Sequence, residues 1–491
     1  MRTVLLVAAL VLSGPTCSAA RQSPGRSSAE APGLWEAWPR VRISPLDPWQ
    51  LKHTDLRKAL DDLQIRHPGL FSITEEGVSA EGRRIPLLRI GAGPTGILLW
   101  SQMHGDEPTA TAALLDLLNW LGLHHADPAA QRLLSSLTLW IIPMLNPDGT
   151  ERTQRRNAQE IDLNRDALRL ASPEGRFLKA VRDRLKPVIG FNLHNQNPDL
   201  LAGRGGRQVA LALLSVPGDE AHSQTPGIRR TRQLAVKVQE LASAFAAGRV
   251  SRYDSDYMER AFGDSMTRWG TATLLVETGG WAAPDESDRL VRLNFVVLLG
   301  ALSALADGTI EAVHPEDYER IPLNRREALS TLVVRNARLA GGRGLPPFPA
   351  DLAFTVPGPF TGDALRLREP AVLEVGDLSH AAGLSELDAT GMLAVPWPGP
   401  AGDWPLLQDS LRAQGLELVD EAGLIAAVRA FGESAVAKPG FTGAVLLYRP
   451  EGAAKLRLVG AVIKGRLAGN PGTPGPAAAG PPAIDGGRAT R

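Results

Sequence analysis

Three short apolar runs in this chain, 97–100, 188–193 and 273–276, each end close to a side chain able to hold a metal ion or move a proton. The first runs into His104 and Glu107, the second into His194, the third into Glu277. Apolar runs of this length, bounded by turn residues, read as buried strands. Longer patterns with helical spacing lie between them, at 110–121 and 234–245, and a further strand pattern occupies 137–142. Strands alternating with helices predict an α/β fold: a mixed, mostly parallel sheet with helices on both faces. In such open sheets a binding crevice forms beyond the carboxyl ends of the strands. His104 and Glu107, three residues apart just before Pro108, can aim an imidazole and a carboxylate at one point from a single turn, which is the beginning of a grip on zinc.

The flanking segments extend this plan. Leu51, Leu56, Leu60 and Leu63 predict an amphipathic helix that stops at Pro68-Gly69. Residues 71–91 alternate as strand, turn and strand around Glu81-Gly82-Arg83-Arg84, and a helix over 288–305 closes the domain near Asp307. Beyond His314 the strand patterns are short (332–340, 371–375, 443–448, 455–462) and mix with helical stretches at 405–414 and 421–431. This predicts a smaller α+β accessory domain. The expected division is a signal peptide at 1–20, a polar linker at 21–45, a catalytic domain at 46–310, the accessory domain at 311–467, and a disordered Pro/Gly/Ala-rich tail at 468–491.

Charge and targeting narrow the partners. With 53 basic and 53 acidic residues the chain is neutral, so nothing in it attracts nucleic acid or an anionic membrane surface. Arg2, an apolar run at 4–12, and the small residues Ser18, Ala19 and Ala20 have the form of a secretory signal, too short to remain as a membrane span. The protein is therefore expected to be exported, periplasmic or secreted, with no integral membrane segment once the signal is removed; the Ala, Gly, Pro and Arg bias suggests a bacterial source. Its one cysteine, Cys17, lies inside the signal, where Gly14-Pro15-Thr16 argues against a lipid anchor. The mature chain then uses neither disulfides nor thiol chemistry.

Further motifs stand in order along the first domain: Gly77-Val78-Ser79-Ala80-Glu81-Gly82-Arg83, Asn146-Pro147-Asp148-Gly149, the stretch from Arg155 to Asp166, Asn192-Leu193-His194-Asn195, and Leu275-Val276-Glu277-Thr278-Gly279-Gly280. Together with His104 and Glu107 they resemble the zinc metallocarboxypeptidase family, which includes carboxypeptidase A and bacterial murein-peptide amidases. The resemblance covers roughly 48–307. It implies one zinc ion per chain held by His104, Glu107 and His194, the His₂Glu set given for carboxypeptidase A itself. It further implies Glu277 as general base, Arg155 as the group that polarises the scissile carbonyl, and Asn164 with Arg165 as the pair that binds the substrate's terminal carboxylate. Asp162 matches the carboxylate that orients the first zinc histidine. Arg156 stands beside Arg155 as an alternative, although counting back from Asn164 favours Arg155.

The chain also departs from the family. Asp106 stands where the pancreatic enzymes carry an arginine, and Glu160 replaces a glycine common in its loop. The family's mobile tyrosine has two candidates, Tyr257 and Tyr253, of which Tyr257 is preferred. Asp264, in Ala261-Phe262-Gly263-Asp264-Ser265, either selects a basic side chain or caps a helix. The expected function is a zinc carboxypeptidase acting on exported or wall-derived peptides with a free C-terminal carboxylate. A zinc deacylase of the aspartoacylase or succinylglutamate desuccinylase type is the alternative, and a non-catalytic peptide-binding relative is a third. The longer Arg155 to Asp166 motif favours the peptidase.

Overall fold

The computed structural model describes residues 26–471 apart from 46, 199, 204–205, 255, 282–284, 326–328, 342–344, 356–370, 380 and 400–401. The expected signal peptide and all but the first residues of the expected tail lie outside the described residues. In chain order the first domain contains α1 (Arg26–Val41), α2 (His53–Arg66), β1 (Phe71–Val78), β2 (Arg84–Ile90), β3 (Thr95–Ser101), α3 (Thr109–Leu123), α4 (Pro128–Ser136) and β4 (Leu137–Ile142). There follow α5 (Pro147–Arg152), α6 (Pro173–Leu185), β5 (Ile189–Asn195), β6 (Leu201–Ala202), β7 (Leu211–Ser215), α7 (Pro226–Ser243), β8 (Val250–Arg252), α8 (Phe262–Arg268), β9 (Ala272–Thr278), α9 (Glu286–Ala306) and β10 (Asn324–Arg325).

Eight strands form one sheet in the order β1-β2-β4-β3-β5-β9-β7-β8. Its centre, β4-β3-β5-β9, is parallel. The pairings of β2 with β4 and of β9 with β7 are antiparallel. Alternation along β3 divides the core in two. Ile97 and Leu99 pack with the face covered by α3, α7 and α9, while Leu98 and Trp100 pack with Phe177 and Leu178 of α6 and Phe262 and Met266 of α8. This is the mixed, mostly parallel sheet with helices on both faces. Among the described residues one helix, α9, is long and apolar enough to cross a membrane; here it is mostly buried, packed against α1, α3 and α7.

Within the stretch expected as a linker at 21–45, the described residues from 26 onward include a packed helix. Helix α1 buries Ala31, Trp38 and Val41 in the main core. Asp116 of α3, fully buried, accepts hydrogen bonds from Trp38 Nε1 (2.9 Å), from the backbone of Ile43 (2.8 Å) and Ser44 (2.9 Å), and from the Ser44 hydroxyl (2.9 Å). A buried carboxylate needs that many donors to offset its lost hydration. The domain boundary expected at 310 also moves outward. Ile310, Tyr318 and Ile321 belong to the first core, Tyr318 accepts a hydrogen bond from Ser215, and β10 pairs with β6.

The following region is a second, nine-stranded sheet with two helices, matching the expected α+β domain. In its strand Ala444–Glu451, residues Ala444, Leu446 and Tyr448 share a core with Leu407, Leu411, Leu424 and Val428 of the two helices. Val445 and Leu447 face a separate core with Leu332, Leu352 and Val372. Strands at Phe348–Thr355, Ala382–Asp388 and Leu393–Trp397 have no counterpart in the sequence reading. The expected tail begins inside a strand, Arg466–Gly469.

Candidate metal centre and catalytic cavity

The centre is built where the parallel strands end. Past β3, Gln102 takes a left-handed conformation (φ 52°), turning the chain so that His104 and Glu107 come round to the sheet's end. Gly105 lies so close to the Asn146-Pro147-Asp148-Gly149 turn that a Cβ on it would stand 2.1 Å from the Gly149 carbonyl carbon. Asn146 caps α5 through Gly149 N (2.9 Å) and donates to the Met103 carbonyl (3.2 Å), tying the two loops together. The upstream motif secures the same turn. Buried Asp148 accepts from the Ser79 hydroxyl (2.7 Å), the Glu81 backbone (2.9 Å) and the Arg83 guanidinium (2.7 Å).

His194 stands near the end of β5, and its register partner on β9 is Glu277. His104, Glu107 and His194 are all buried, and one ligand atom from each lies within 4.8 Å of the others. Nδ1 of His104 is 2.7 Å from Glu107 Oε1, and Nδ1 of His194 is 2.7 Å from Oε2 of the same carboxylate. The second nitrogen of His104, Nε2, faces Asp162 Oδ1 at 3.2 Å, and Asp162 Oδ2 accepts from Arg155 Nε at 3.0 Å.

The charges follow from this crowding. Burial works against a charged His104, yet Glu107 and Asp162 outweigh it and raise its pKa. Burial lowers the pKa of His194. Burial would raise Glu107, but the two histidines hold it well below the usual carboxylate range. Burial and then the Glu107 charge push Glu277 well above that range, and push Asp106 up to about 7. Glu277 Oε2 and Asp106 Oδ1 are buried without a hydrogen-bond partner.

These residues fit a zinc ion. With its proton on Nε2 toward Asp162, His104 leaves the Nδ1 lone pair, 3.2 Å from Nδ1 of His194 and 2.7 Å from Glu107 Oε1, available to a metal. Two imidazole nitrogens and one carboxylate, with the outer nitrogen of one imidazole held by a further carboxylate, form the donor set of a three-ligand zinc site that leaves a coordination position open.

Beside the cluster is a cavity of about 340 Å³ whose walls include Arg155, Asn164, Arg165, Asp264 and Glu277. Arg155 reaches it, whereas the neighbouring Arg156 turns to the Glu160 carbonyl (3.0 Å) on the exposed side. Asn164 is fixed by accepting from Phe262 N (2.9 Å), and Arg165 donates to the Asn164 carbonyl (2.7 Å). Asp264 accepts from Met258 N (2.9 Å), and burial raises its pKa to about 6. It caps no helix, since it lies within α8 itself. The two candidate tyrosines differ in position. Tyr253 is part of the cavity wall, while Tyr257 lies against Arg268 and is not part of it. Glu160 holds a left-handed backbone (φ 60°), the conformation that makes glycine the easy residue there. Gln196 and Asn324 also line the cavity and were missed. Gln196 was legible from the two-residue period Asn192, His194, Gln196; Asn324 had no local signal.

Residues 56–181 match the family model described as zinc carboxypeptidase. The resemblance to the zinc metallocarboxypeptidases holds. The matched segment carries His104, Glu107, Arg155, Asp162, Asn164 and Arg165, and ends before His194 and Glu277. Over 123 residues the chain is 34% identical to Carboxypeptidase SOL1 of Arabidopsis thaliana, covering 24% of this chain and 25% of that one. Over 159 residues it is 32% identical to human (Homo sapiens) Carboxypeptidase D, covering 29% and 11% respectively. The chain thus spans a quarter or less of the length of these curated relatives. Among solved structures it is similar to a metallo-carboxypeptidase from Pseudomonas aeruginosa, at 21% identity and a TM-score of 0.42, over 52% of this chain and 69% of that one.

Proposed function

We propose that this chain is a zinc-dependent carboxypeptidase that removes the last residue of an exported or wall-derived peptide with a free C-terminal carboxylate. The observation that carries the reading is the placement of Glu277. It is an unpartnered carboxylate on the strand beside His194, in one cavity with the ligand cluster and two arginines. His104, Glu107 and His194 would hold one zinc ion. When bound there, zinc supplies Lewis acidity toward a water molecule and an amide carbonyl.

The protein groups do the rest. Glu277, in its ionised form, accepts a proton from the attacking water and delivers it to the departing amine nitrogen. Arg155 donates to the carbonyl oxygen as negative charge develops on it. Arg165, with Asn164 beside it, pairs with the terminal carboxylate and so limits cleavage to the last bond. Asp162 holds the proton on Nε2 of His104, which would leave Nδ1 free for the zinc ion the cluster would hold. Tyr253, on the cavity wall, would be the tyrosine that approaches the substrate. Mass spectrometry of N-blocked peptides tests the reading. Loss of a single C-terminal residue, abolished by a chelator and restored by one equivalent of zinc, supports it; internal cleavage or chelator-resistant activity contradicts it.

A further inference from the structure

Asn192, His194 and Gln196 follow one another along one side of β5. The β5–β9 ladder continues through the hydrogen bond from Gln196 N to the Thr278 carbonyl (2.8 Å), so the alternation extends to Gln196. All three residues are buried. The cavity therefore has a direction. Asn192 lies against Gly263, in the part of the wall that includes Asp264, His194 belongs to the ligand cluster, and Gln196 follows it along the strand. Gln196 is two residue steps along the strand from His194, roughly 7 Å.

Gln196 is oriented from outside the sheet. Its Oε1 accepts from Asn324 Nδ2 at 2.7 Å, and Asn324 Oδ1 in turn accepts from the Ser251 hydroxyl. In this arrangement Oε1 is the bonded end of the Gln196 carboxamide and Nε2 its free end. Nε2 is buried without a partner, on a residue that lines the cavity. A buried N–H without an acceptor is costly, so a group that supplies an oxygen there binds favourably. Asn324 belongs to β10, downstream of the last helix of the sheet domain and just before the second domain. It is held by pairing with Ala202 and by the neighbouring bond from Arg252 N to the Pro322 carbonyl (2.7 Å).

We infer that Gln196 Nε2 donates a hydrogen bond to a backbone carbonyl of the peptide upstream of the bond being cleaved, with Asn324 as the positioning residue that aims it. This rests on the carboxypeptidase reading. With the leaving residue toward Asn192 and Asp264, the upstream chain leaves past Gln196. An extended peptide advances about 3.3–3.6 Å per residue, so the carbonyl that reaches Gln196 is the first or second upstream of the one attacked. The substrate class is then a peptide of at least three residues, gripped through its main chain and tolerant of sequence at that position.

The test is kcat/KM on a series of free-acid peptides of two, three and four residues for the zinc-loaded full chain, for Gln196→Ala, for Asn324→Ala and for the double variant. The expected result is a loss in Gln196→Ala that grows by about tenfold between the dipeptide and the tetrapeptide. Asn324→Ala should show a smaller loss with the same length dependence, and the double variant should lose no more than Gln196→Ala alone, because Asn324 acts through Gln196. A loss equal at all lengths, including none, overturns the inference, as do losses that multiply in the double variant. Zinc stoichiometry distinguishes a lost contact from a misfolded site. Wild-type protein that cleaves none of the series overturns the carboxypeptidase reading and this inference with it, whereas cleavage with a flat length profile overturns this inference alone.

Discussion

Glu277 and His194 are register partners on neighbouring parallel strands, so a carboxylate with an unpartnered oxygen stands directly beside the imidazole that completes the ligand cluster. Strand pairing fixes this relationship, and neither loop closure nor ligand binding is needed to bring the two together.

Because Glu277 sits beside the cluster without being one of its ligands, Glu277→Gln should keep zinc at one per chain and keep the fold. It should lose turnover by a factor of about 10² to 10⁴, the usual contribution of a general base. Metal analysis and kcat on one preparation check this. Loss of zinc in the variant would make Glu277 a ligand instead.

Asp162 contacts His104 at the nitrogen that faces away from Glu107. Asp162→Ala should weaken zinc by about 10- to 100-fold without abolishing it, whereas His104→Ala should remove it. Competition with a chromogenic chelator measures both. Equal affinity in wild type and Asp162→Ala would remove that carboxylate from the metal site.

Asp264 gives a pH dependence whose sign can be worked out. Its carboxyl is raised from 3.8 to about 6 by burial, so folding favours the neutral form. Below pH 3.8 this has no effect on stability. Between 3.8 and about 6 the unfolded chain ionises first and the folded state loses stability, by roughly 3 kcal/mol in all at 1.36 kcal/mol per pH unit. The substitution Asp264→Asn removes this ionisation, and its carboxamide oxygen can still accept from Met258 N. The variant should therefore have a higher Tm than wild type above pH 6 and match it near pH 4. A Tm difference independent of pH over that range would contradict the assignment.

Gly105→Ala would place a methyl group 2.1 Å from the Gly149 backbone, so the metal loop and the α5 turn must separate. Overpacking of this kind costs about 1–3 kcal/mol. We expect a lower Tm and weaker zinc binding together; a fall in Tm with zinc affinity intact would mean the turn yields without moving His104.

What the sequence revealed of this architecture is local. His104 with Glu107, His194 and Glu277 each stand close behind a predicted apolar run, and β4 was legible to the residue because both its ends are marked. Helix α1 was hidden for a physical reason. It contains Pro32 and Pro39, and the group that anchors the chain after it, Asp116, is 72 residues or more away. Tyr253 and Tyr257 share a loop whose path depends on contacts with β7 and Arg268, so counting residues could not separate them. Asn324 reaches the cavity only because β10 pairs with β6, a contact between segments far apart in the chain.

We predict that cleavage requires a terminal carboxylate held by Arg165. A guanidinium left unpaired in a closing site loses charge-assisted bonds that are roughly twice as strong as neutral ones. The decisive measurement is kcat/KM on one peptide as free acid and as C-terminal amide, for wild type and Arg165→Ala. We predict that wild type prefers the acid by about 10² or more, and that Arg165→Ala loses most of that preference by falling on the acid far more than on the amide. Equal rates on acid and amide in the wild type would contradict the carboxypeptidase reading even with zinc fully bound.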